Sequence, residues 1–315
     1  MTLDVESWID KKVKRDWLTT LRFRIAYRGY HFLLLHRFKG SKYIQQKLCQ
    51  WLVPRPKGLT PCPTLFGIEI LVDPIFGRGL EKQIYYHGLY ESGTLSILKK
   101  FLRIGDKFLD IGANIGWISC VVSRFVGKTG QVYAFEPHCK TFKILENNIK
   151  INDLNNISTF DVALGSKISR GLIHTNHEIG RGGASLLPPD NRGEDLTQRV
   201  EITTVDTLIE NNQLDIPHVI KIDVEGYELE VLKGAINLLS GPNAPILIIE
   251  YSRYHAQHGG NTHDIYRFIH SLKKYSIYKL KYSKEIPSDL VEVFEEKDLP
   301  RHDNLFCFLD KHLNK

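Results

Sequence analysis

The sequence predicts an α/β fold: one mostly parallel β-sheet with helices on both faces, preceded by a basic helical segment. Three observations carry this. From Asp106 onward, short apolar runs alternate with amphipathic stretches, as in KFLDIG, GWISCVVSRFVG, QVYAFEP and HCKTFKILENNIKIN. That is the strand–helix rhythm of a parallel sheet. The run PILIIEY has no polar alternation, as expected of a strand covered on both faces. Finally, charge is uneven: residues 1–60 hold 13 Lys+Arg against 4 Asp+Glu, and the rest holds 29 against 32. A mildly acidic body thus carries a basic N-terminal segment.

The division expected is residues 1–58 as the basic segment and 59–315 as the enzyme-like domain. Helix is predicted from Trp8 to about Gln50, broken near Gly40-Ser41. A helical pair packed on the main domain is the favoured reading; the sharper one is an interfacial helix whose Trp, Phe and Leu dip into an anionic membrane surface. No run approaches the ~18 apolar residues of a membrane span. The acidic residues Asp4, Glu6 and Asp10 are unlike the basic start of a secretory signal. A cytoplasmic location, peripheral to the membrane in the sharper reading, is expected. The five cysteines have no ligand spacing, so reduced thiols and no zinc site are expected.

Pro54, Pro56, Gly58, Pro61 and Pro63 mark a linker. FGIEILVDP then alternates like a strand, and LEKQIYYHGLYESGTLSILKKFL reads as helical pieces interrupted at Gly88 and Gly93. ISTFDVAL is the third strand of the regular series. Residues 165–205 break the rhythm with two β segments around a polar, glycine-rich loop, His174–Leu196, that contains Arg181, Gly182 and Gly183. HVIKIDVEG resumes the series, YELEVLKGAINLL reads as one amphipathic helix, and NLFCFLD is a last apolar strand.

FLDIGANIGW places glycines 112 and 116 directly after a strand. A dinucleotide loop needs G-x-G-x-x-G, so that backbone can approach a pyrophosphate. Here those positions fall on Asn114 and Trp117, and no Walker lysine is present. What stands instead is D-x-G-x-x-x-G, which suits a ligand with a charged amine and no phosphate: Asp110 attracts an ammonium, and Gly112 lets the chain pass close. Glu136, 24 residues after Gly112, ends the second strand, where an acid accepts hydrogen bonds from ribose hydroxyls. Asp161 and Val162 at the third strand's end suit an adenine amino group and ring face. Three acids at successive strand ends point to S-adenosylmethionine.

FLDIGANIGWIS, VYAFEP, ENNIKIN, ITTVDTLI and IKIDVEGYELEVLKGA, in this order, resemble the FkbM family of S-adenosylmethionine-dependent methyltransferases. The similarity runs from about Gly67 to Leu309, with HGLYESG similar to the family's lead-in; the first sixty residues lie outside it. The resemblance implies a class I methyltransferase (Rossmann-like) sheet of seven strands, the last antiparallel. It also implies methyl transfer to hydroxyl oxygens of sugars, glycans or polyketide-type metabolites. Asn114 and Gly116 of its GAN-x-G motif are implied near the cofactor, and Tyr86, Tyr90 and Glu91, which precede the first strand of the series, are implied to close over its methionine end.

Ligands of open α/β sheets collect at the strands' carboxyl ends. Alternation puts Lys221, Asp223 and Glu225 on one side of the fourth strand. Buried charges are costly unless paired or used; a structural Lys221–Asp223 pair and a catalytic Asp223 and Glu225 are compatible. Methyl transfer needs alignment and, for a neutral hydroxyl, a base. The candidates are Asp223, Glu225, Glu250 and, in the loop after PILIIEY, His255, with His258 and His263 weaker. Asp223, Glu225 and Glu250 are also an oxygen set for a divalent metal ion, which the sequence leaves open. A nucleic-acid methyltransferase is the runner-up because of the basic N-terminus. The chain, however, has IDVE where amino-group methylases of bases carry D/N-P-P-Y/F/W, and Leu187-Pro188-Pro189-Asp190 lacks the aromatic. A membrane-attached, non-catalytic methyltransferase fold is the third reading, opposed by the intact acids.

Overall fold

The computed structural model describes residues 17–36, 38–56, 58–75, 77, 79–175, 183–187, 196–252, 263–272 and 275–313. Helices α1 (Trp17–Leu35) and α2 (Ser41–Leu52) come first. They part at Gly40, whose φ of 93° favours glycine. The expected helical start at Trp8 lies outside the described residues. The two helices form an antiparallel hairpin: Gly29 has no Cβ to collide with Leu48, and Gln45 Nε2 donates to the Tyr30 carbonyl at 3.4 Å.

The stretch expected as a linker is partly a strand. β1 (Thr60–Pro63) pairs antiparallel with β2 (Glu69–Val72), Cys62 opposite Ile70. Pro61 and Pro63 lack an N–H, which a two-stranded ribbon tolerates because one edge of β1 needs no partner. The chain continues through α3 (Leu80–His87), which stops at Gly88, and α4 (Ser92–Phe101). The second break falls at Glu91 (φ 47°) rather than Gly93, which lies inside the first turn of α4.

The main sheet then builds from β3 (Lys107–Ile111), α5 (Trp117–Val126), β4 (Gln131–Phe135), α6 (Cys139–Ile151) and β5 (Ile157–Phe160). The third strand is shorter than expected. The chain leaves the sheet at Asp161 and enters a second, three-stranded sheet of β6 (Ala163–Leu164), β7 (Ser169–Thr175) and β8 (Leu196–Thr203), in the order β6-β8-β7. After α7 (Val205–Glu210), β9 (Val219–Ile222) returns to the main sheet. The helix expected over YELEVLKGAINLL is two pieces, α8 (Glu228–Lys233) and α9 (Ile236–Ser240). Gly234 sits at the break because a Cβ there would lie 1.9 Å from the Gly165 carbonyl oxygen.

β10 (Ile246–Ser252), α10 (Asp264–Ser271), β11 (Ser276–Leu280), β12 (Leu290–Glu292), β13 (His302–Phe308) and α11 (Asp310–Leu313) complete the described chain. The sheet order is β12-β11-β13-β10-β9-β3-β4-β5. β3, β4, β5, β9 and β10 are mutually parallel, while β13 runs antiparallel between β10 and β11. This is the class I methyltransferase arrangement with its last strand antiparallel, extended by β12 as an eighth, antiparallel edge strand.

Strand alternation divides the core. Phe108, Val219, Ile248 and Phe306 pack on one face with α5, and with Phe23 and Tyr27 of α1. Leu109, Ile220, Leu247 and Leu305 pack on the other with α8, α9 and α10. Phe23 and Tyr27 are each 1% exposed. Burying two such rings contributes about 3–6 kcal/mol, enough to fix α1 to the domain. Among the described residues no helix is long and apolar enough to cross a membrane.

Candidate active site

A cavity of about 330 Å³ opens at the carboxyl ends of β3, β4, β9 and β10, where open α/β sheets bind ligands. Its floor carries Asp110, Lys221, Asp223 and Glu250. Tyr90 and Glu91 close one end, and Val162, Ala163, Ile173 and Leu186 bring the second sheet against another side.

The loop after β3 is fixed by backbone. Gly112 and Ala113 both donate to the Phe135 carbonyl, at 3.0 and 2.9 Å. Gly112 has φ 82°, and a Cβ there would stand 1.8 Å from the Asp223 carbonyl oxygen. The group that demands glycine is therefore the neighbouring strand end, although Gly112 also lines the cavity. Gly116 (φ 84°) does not line it; its missing Cβ leaves room for Leu145 of α6. Asn114 turns the chain at φ 52° and donates its N–H to Glu136 Oε2 at 2.9 Å. Glu136 Oε1 accepts from His138 N at 2.9 Å. Burial pushes the Glu136 carboxyl up to about 7, against the pull of these two N–H donors.

Asp110 and Lys221 are directly opposed in register and both buried. Burial raises Asp110 to about 6, with Lys221 and the Ser119 hydroxyl, which donates to Oδ2, restraining the rise. Lys221 Nζ lies 2.7 Å from Asp223 Oδ2. Burial would raise Asp223, yet Lys221 and then Lys284 hold it well below the carboxylate range. The turn beyond is clamped by Glu228, whose Oε1 accepts from Val224 and Gly226 at 3.2 and 3.1 Å. That clamp sets Glu225 at φ 52°.

A second buried cation completes the site. Lys284 Nζ lies 2.6 Å from Glu250 Oε1 and 3.1 Å from Glu91 Oε1. Glu91 Oε2 accepts from Asn304 Nδ2 at 3.1 Å. The Lys284 carbonyl accepts from Gly93 and Thr94, and a Cβ on Gly93 would meet it at 2.8 Å. Burial, and next the Asp223 charge, push Glu250 well above the usual range despite Lys284. Burial would lower Lys284, but Glu91 and Glu250 hold it well above its ordinary value.

The structure thus brings together Glu91, Asp110, Gly112, Asn114, Glu136, Val162, Asp223, Glu225 and Glu250 of the residues singled out in the sequence. Asp161 is exposed and is not part of the cavity lining, because the strand ends at Phe160 and the chain turns there toward the second sheet. Tyr86 packs on the core instead. His255, His258, Arg181 and Gly182 lie outside the described residues; His263 pairs with Glu296, 3.9 Å away. Gly183 and Leu186 reach the cavity, and Ser185 Oγ donates to the Glu225 carbonyl at 2.7 Å. One oxygen from each of Asp223, Glu225 and Glu250 lies within 4.8 Å of the others, and Glu250 Oε2 is buried without a hydrogen-bond partner among the described residues.

Sequence reasoning missed Lys284, Asn304, Ser119 and Glu228. A lone Asn in the apolar strand NLFCFLD and a lone Ser in WISCVV were legible as buried polar groups needing partners. Nothing local marks Lys284.

The sheet order, antiparallel β13 and carboxylate-lined cavity define a class I methyltransferase fold. Residues 110–276 match the model of the methyltransferase FkbM domain. The chain belongs to the FkbM family of S-adenosylmethionine-dependent methyltransferases. It is 30% identical over 160 residues to the hexuronic acid methyltransferase AglP of Haloferax volcanii, covering 50% of this chain and 62% of that protein. Less than two thirds of that relative's length is therefore spanned. It is 26% identical over 184 residues to methyltransferase sdnD of Sordaria araneosa (49% and 69% covered). Among solved structures it is similar to an FkbM methyltransferase from Methylobacillus flagellatus, with TM-score 0.41, 21% identity, and 64% of this chain and 43% of that one covered.

Proposed function

We propose that the protein is an O-methyltransferase that transfers the methyl group of S-adenosylmethionine to a hydroxyl of a sugar, glycan or related metabolite. The observation that carries it is the carboxyl pair Asp223 and Glu250 on the cavity floor, one held ionised and the other pushed toward its protonated form. Glu250 is the better base of the two: its raised proton affinity lets its ionised form take the hydroxyl proton as that oxygen becomes a nucleophile, while Asp223 stays ionised beside Lys221. The sugar assignment draws on the relative that methylates hexuronic acid.

The residues fit the cofactor. The loop lacks the glycine and lysine of a phosphate site, and its acids outnumber its lysines, which suits a ligand carrying an ammonium and a sulfonium. Asp110 and Glu91 supply negative charge at one end, and Glu91 does so as fixed charge because Lys284 and Asn304 occupy its oxygens. Glu136, held by two backbone N–H groups, is placed to accept from a ribose diol, and Phe135 and Val162 offer apolar wall for the base. When bound, S-adenosylmethionine supplies a methyl carbon already activated for displacement. Glu250 then holds the acceptor's proton, with the Asp223 charge raising its affinity for it, and His255 is a further base to test. Asp223, Glu225 and Glu250 could also hold a divalent ion at the acceptor oxygen, an arm decided by chelation.

The test is a labelled-methyl assay on uronic-acid-containing and neutral glycans, with and without chelator. An alkali-stable methyl ether is expected. An alkali-labile ester would move the acceptor to a carboxylate, for which no base is needed, and overturn the hydroxyl reading. Label in RNA alone would replace it with nucleic-acid methylation.

A further inference from the structure

The helical hairpin carries a surface that the cavity does not use. α1 is apolar on two opposite sides. One side, with Phe23, Ala26 and Tyr27, is buried. The other presents Leu18, Leu21, Ile25 and Phe32, between 43% and 58% exposed. At about 100° per residue these four fall on one narrow stripe, with exposed Arg22 and Arg28 on its two flanks. α2 does the same: Tyr43 (64% exposed), Lys47 and Trp51 (79% exposed) follow one another at four-residue spacing, opposite buried Gln45 and Cys49. Lys47 Nζ sits 5.5 Å from the Tyr43 ring centre. Arg22 donates to the Trp51 carbonyl at 3.2 Å, which places the end of α2 beside the start of α1.

Charge identifies the occupant. From Trp17 to Ile68 the sequence has no Asp or Glu, and nine Lys and Arg. Two copies of such a face would repel each other. Nucleic acid would use the cations but gain nothing from Leu18, Ile25 and Phe32. A surface that is anionic at its headgroups and apolar just beneath satisfies both sets together.

We propose that α1 and α2 lie on an anionic lipid bilayer surface, with Leu18, Leu21, Ile25, Phe32, Tyr43 and Trp51 inserted at the headgroup–acyl boundary and the arginines and lysines meeting phosphates. The hairpin is rigidly joined to the cavity's border. Tyr27 Oη donates to the Tyr85 carbonyl at 2.7 Å, Tyr30 stacks on His87 at 4.0 Å, and the α3 helix they grip begins at Leu80, a cavity-lining residue. Lipid docking therefore holds the cavity's border at a fixed height above the bilayer.

The test is vesicle flotation of the full chain, which reads partition and is independent of methyl transfer. The protein floats with phosphatidylglycerol-containing vesicles and not with pure phosphatidylcholine, and added salt weakens the association. The triple variant Arg22→Glu/Arg24→Glu/Arg28→Glu loses on the order of a hundredfold in partition. Phe32→Ser/Trp51→Ser, which leaves the charge unchanged, also loses partition, and circular dichroism shows both variants folded. Absence of flotation with anionic vesicles overturns the proposal, as does unchanged partition of the Phe32/Trp51 variant. Light scattering that shows a dimer dissolved by the same two substitutions would assign the face to a second copy. RNA binding lost only in the arginine variant, without vesicle binding, would assign it to nucleic acid.

Discussion

Lys284 and Glu250 meet in the protein interior, 2.6 Å between Nζ and Oε1, although they lie 34 positions apart along the chain. The same ammonium lies 3.1 Å from Glu91 Oε1 and holds that carboxylate ionised, so one side chain serves two buried carboxyl groups. Lys284→Met should cost about 3–5 kcal/mol at neutral pH, because the buried Glu91 carboxylate loses its cation and Glu250 loses its hydrogen-bond donor. Lys284 holds Glu91 below its ordinary value, so in the variant Glu91 takes up a proton more readily. The deficit should therefore shrink as pH falls and the acids are neutralised. Denaturant midpoints of both proteins across pH, together with Lys284→Met/Glu250→Gln, which should recover part of the loss, check this.

Asp223→Asn should keep the affinity for S-adenosylhomocysteine within a few-fold and lower kcat by about 10²–10⁴. The negative charge of Asp223 is the second cause, after burial, of Glu250's upward shift. Removing that charge makes Glu250 easier to ionise. The rise of rate with pH should accordingly move to lower pH in the variant, and initial rates across pH read the displacement. Normal turnover would remove Asp223 from the reaction.

Glu136 offers a binding test that does not involve turnover. Its carboxyl is pushed up to about 7 by burial, so it is largely protonated below that pH and ionised above. A ribose diol donates better to the ionised form. Affinity for S-adenosylhomocysteine should strengthen as pH rises through about 7. Glu136→Gln should flatten that dependence and weaken binding about ten- to a hundredfold, as calorimetry at several pH values would show.

His87 governs acid stability at the joint between hairpin and domain. Burial holds its imidazole down, from 6.5 to about 4. The unfolded chain then binds a proton below 6.5 while the folded chain does not. Stability from this group is complete above pH 6.5 and is lost progressively down to about 4, on the order of 3 kcal/mol in all. His87→Phe, which keeps a ring against Tyr30, should remove that part of the acid sensitivity in thermal melts.

The succession of the parallel strands along the chain was legible because each apolar run is bounded by its own glycine or helix signal, and the acids at 110, 136 and 223 lie at the ends of those runs. Departures come from contacts between distant segments. Gly234 breaks the predicted helix because it abuts Gly165, and Asp161 leaves the cavity because the chain changes sheets there. The lysine that balances Glu91 and Glu250 sits in the β11–β12 turn, where no pattern of spacing foretells a partner. The need for glycine at 112 was visible, but its cause was read as close approach to a ligand, whereas the group that demands it is the Asp223 carbonyl.

Asn304 donates to both Glu91 and Thr94, across 213 and 210 residues. Its strand, β13, is inserted between β10 and β11, so a chain emerging from the ribosome holds Glu91 without Asn304 until β13 has been made. The carboxylate cluster is consequently among the last parts to become orderly during biosynthesis. A methyl donor that arrives before β13 meets an unfinished cradle.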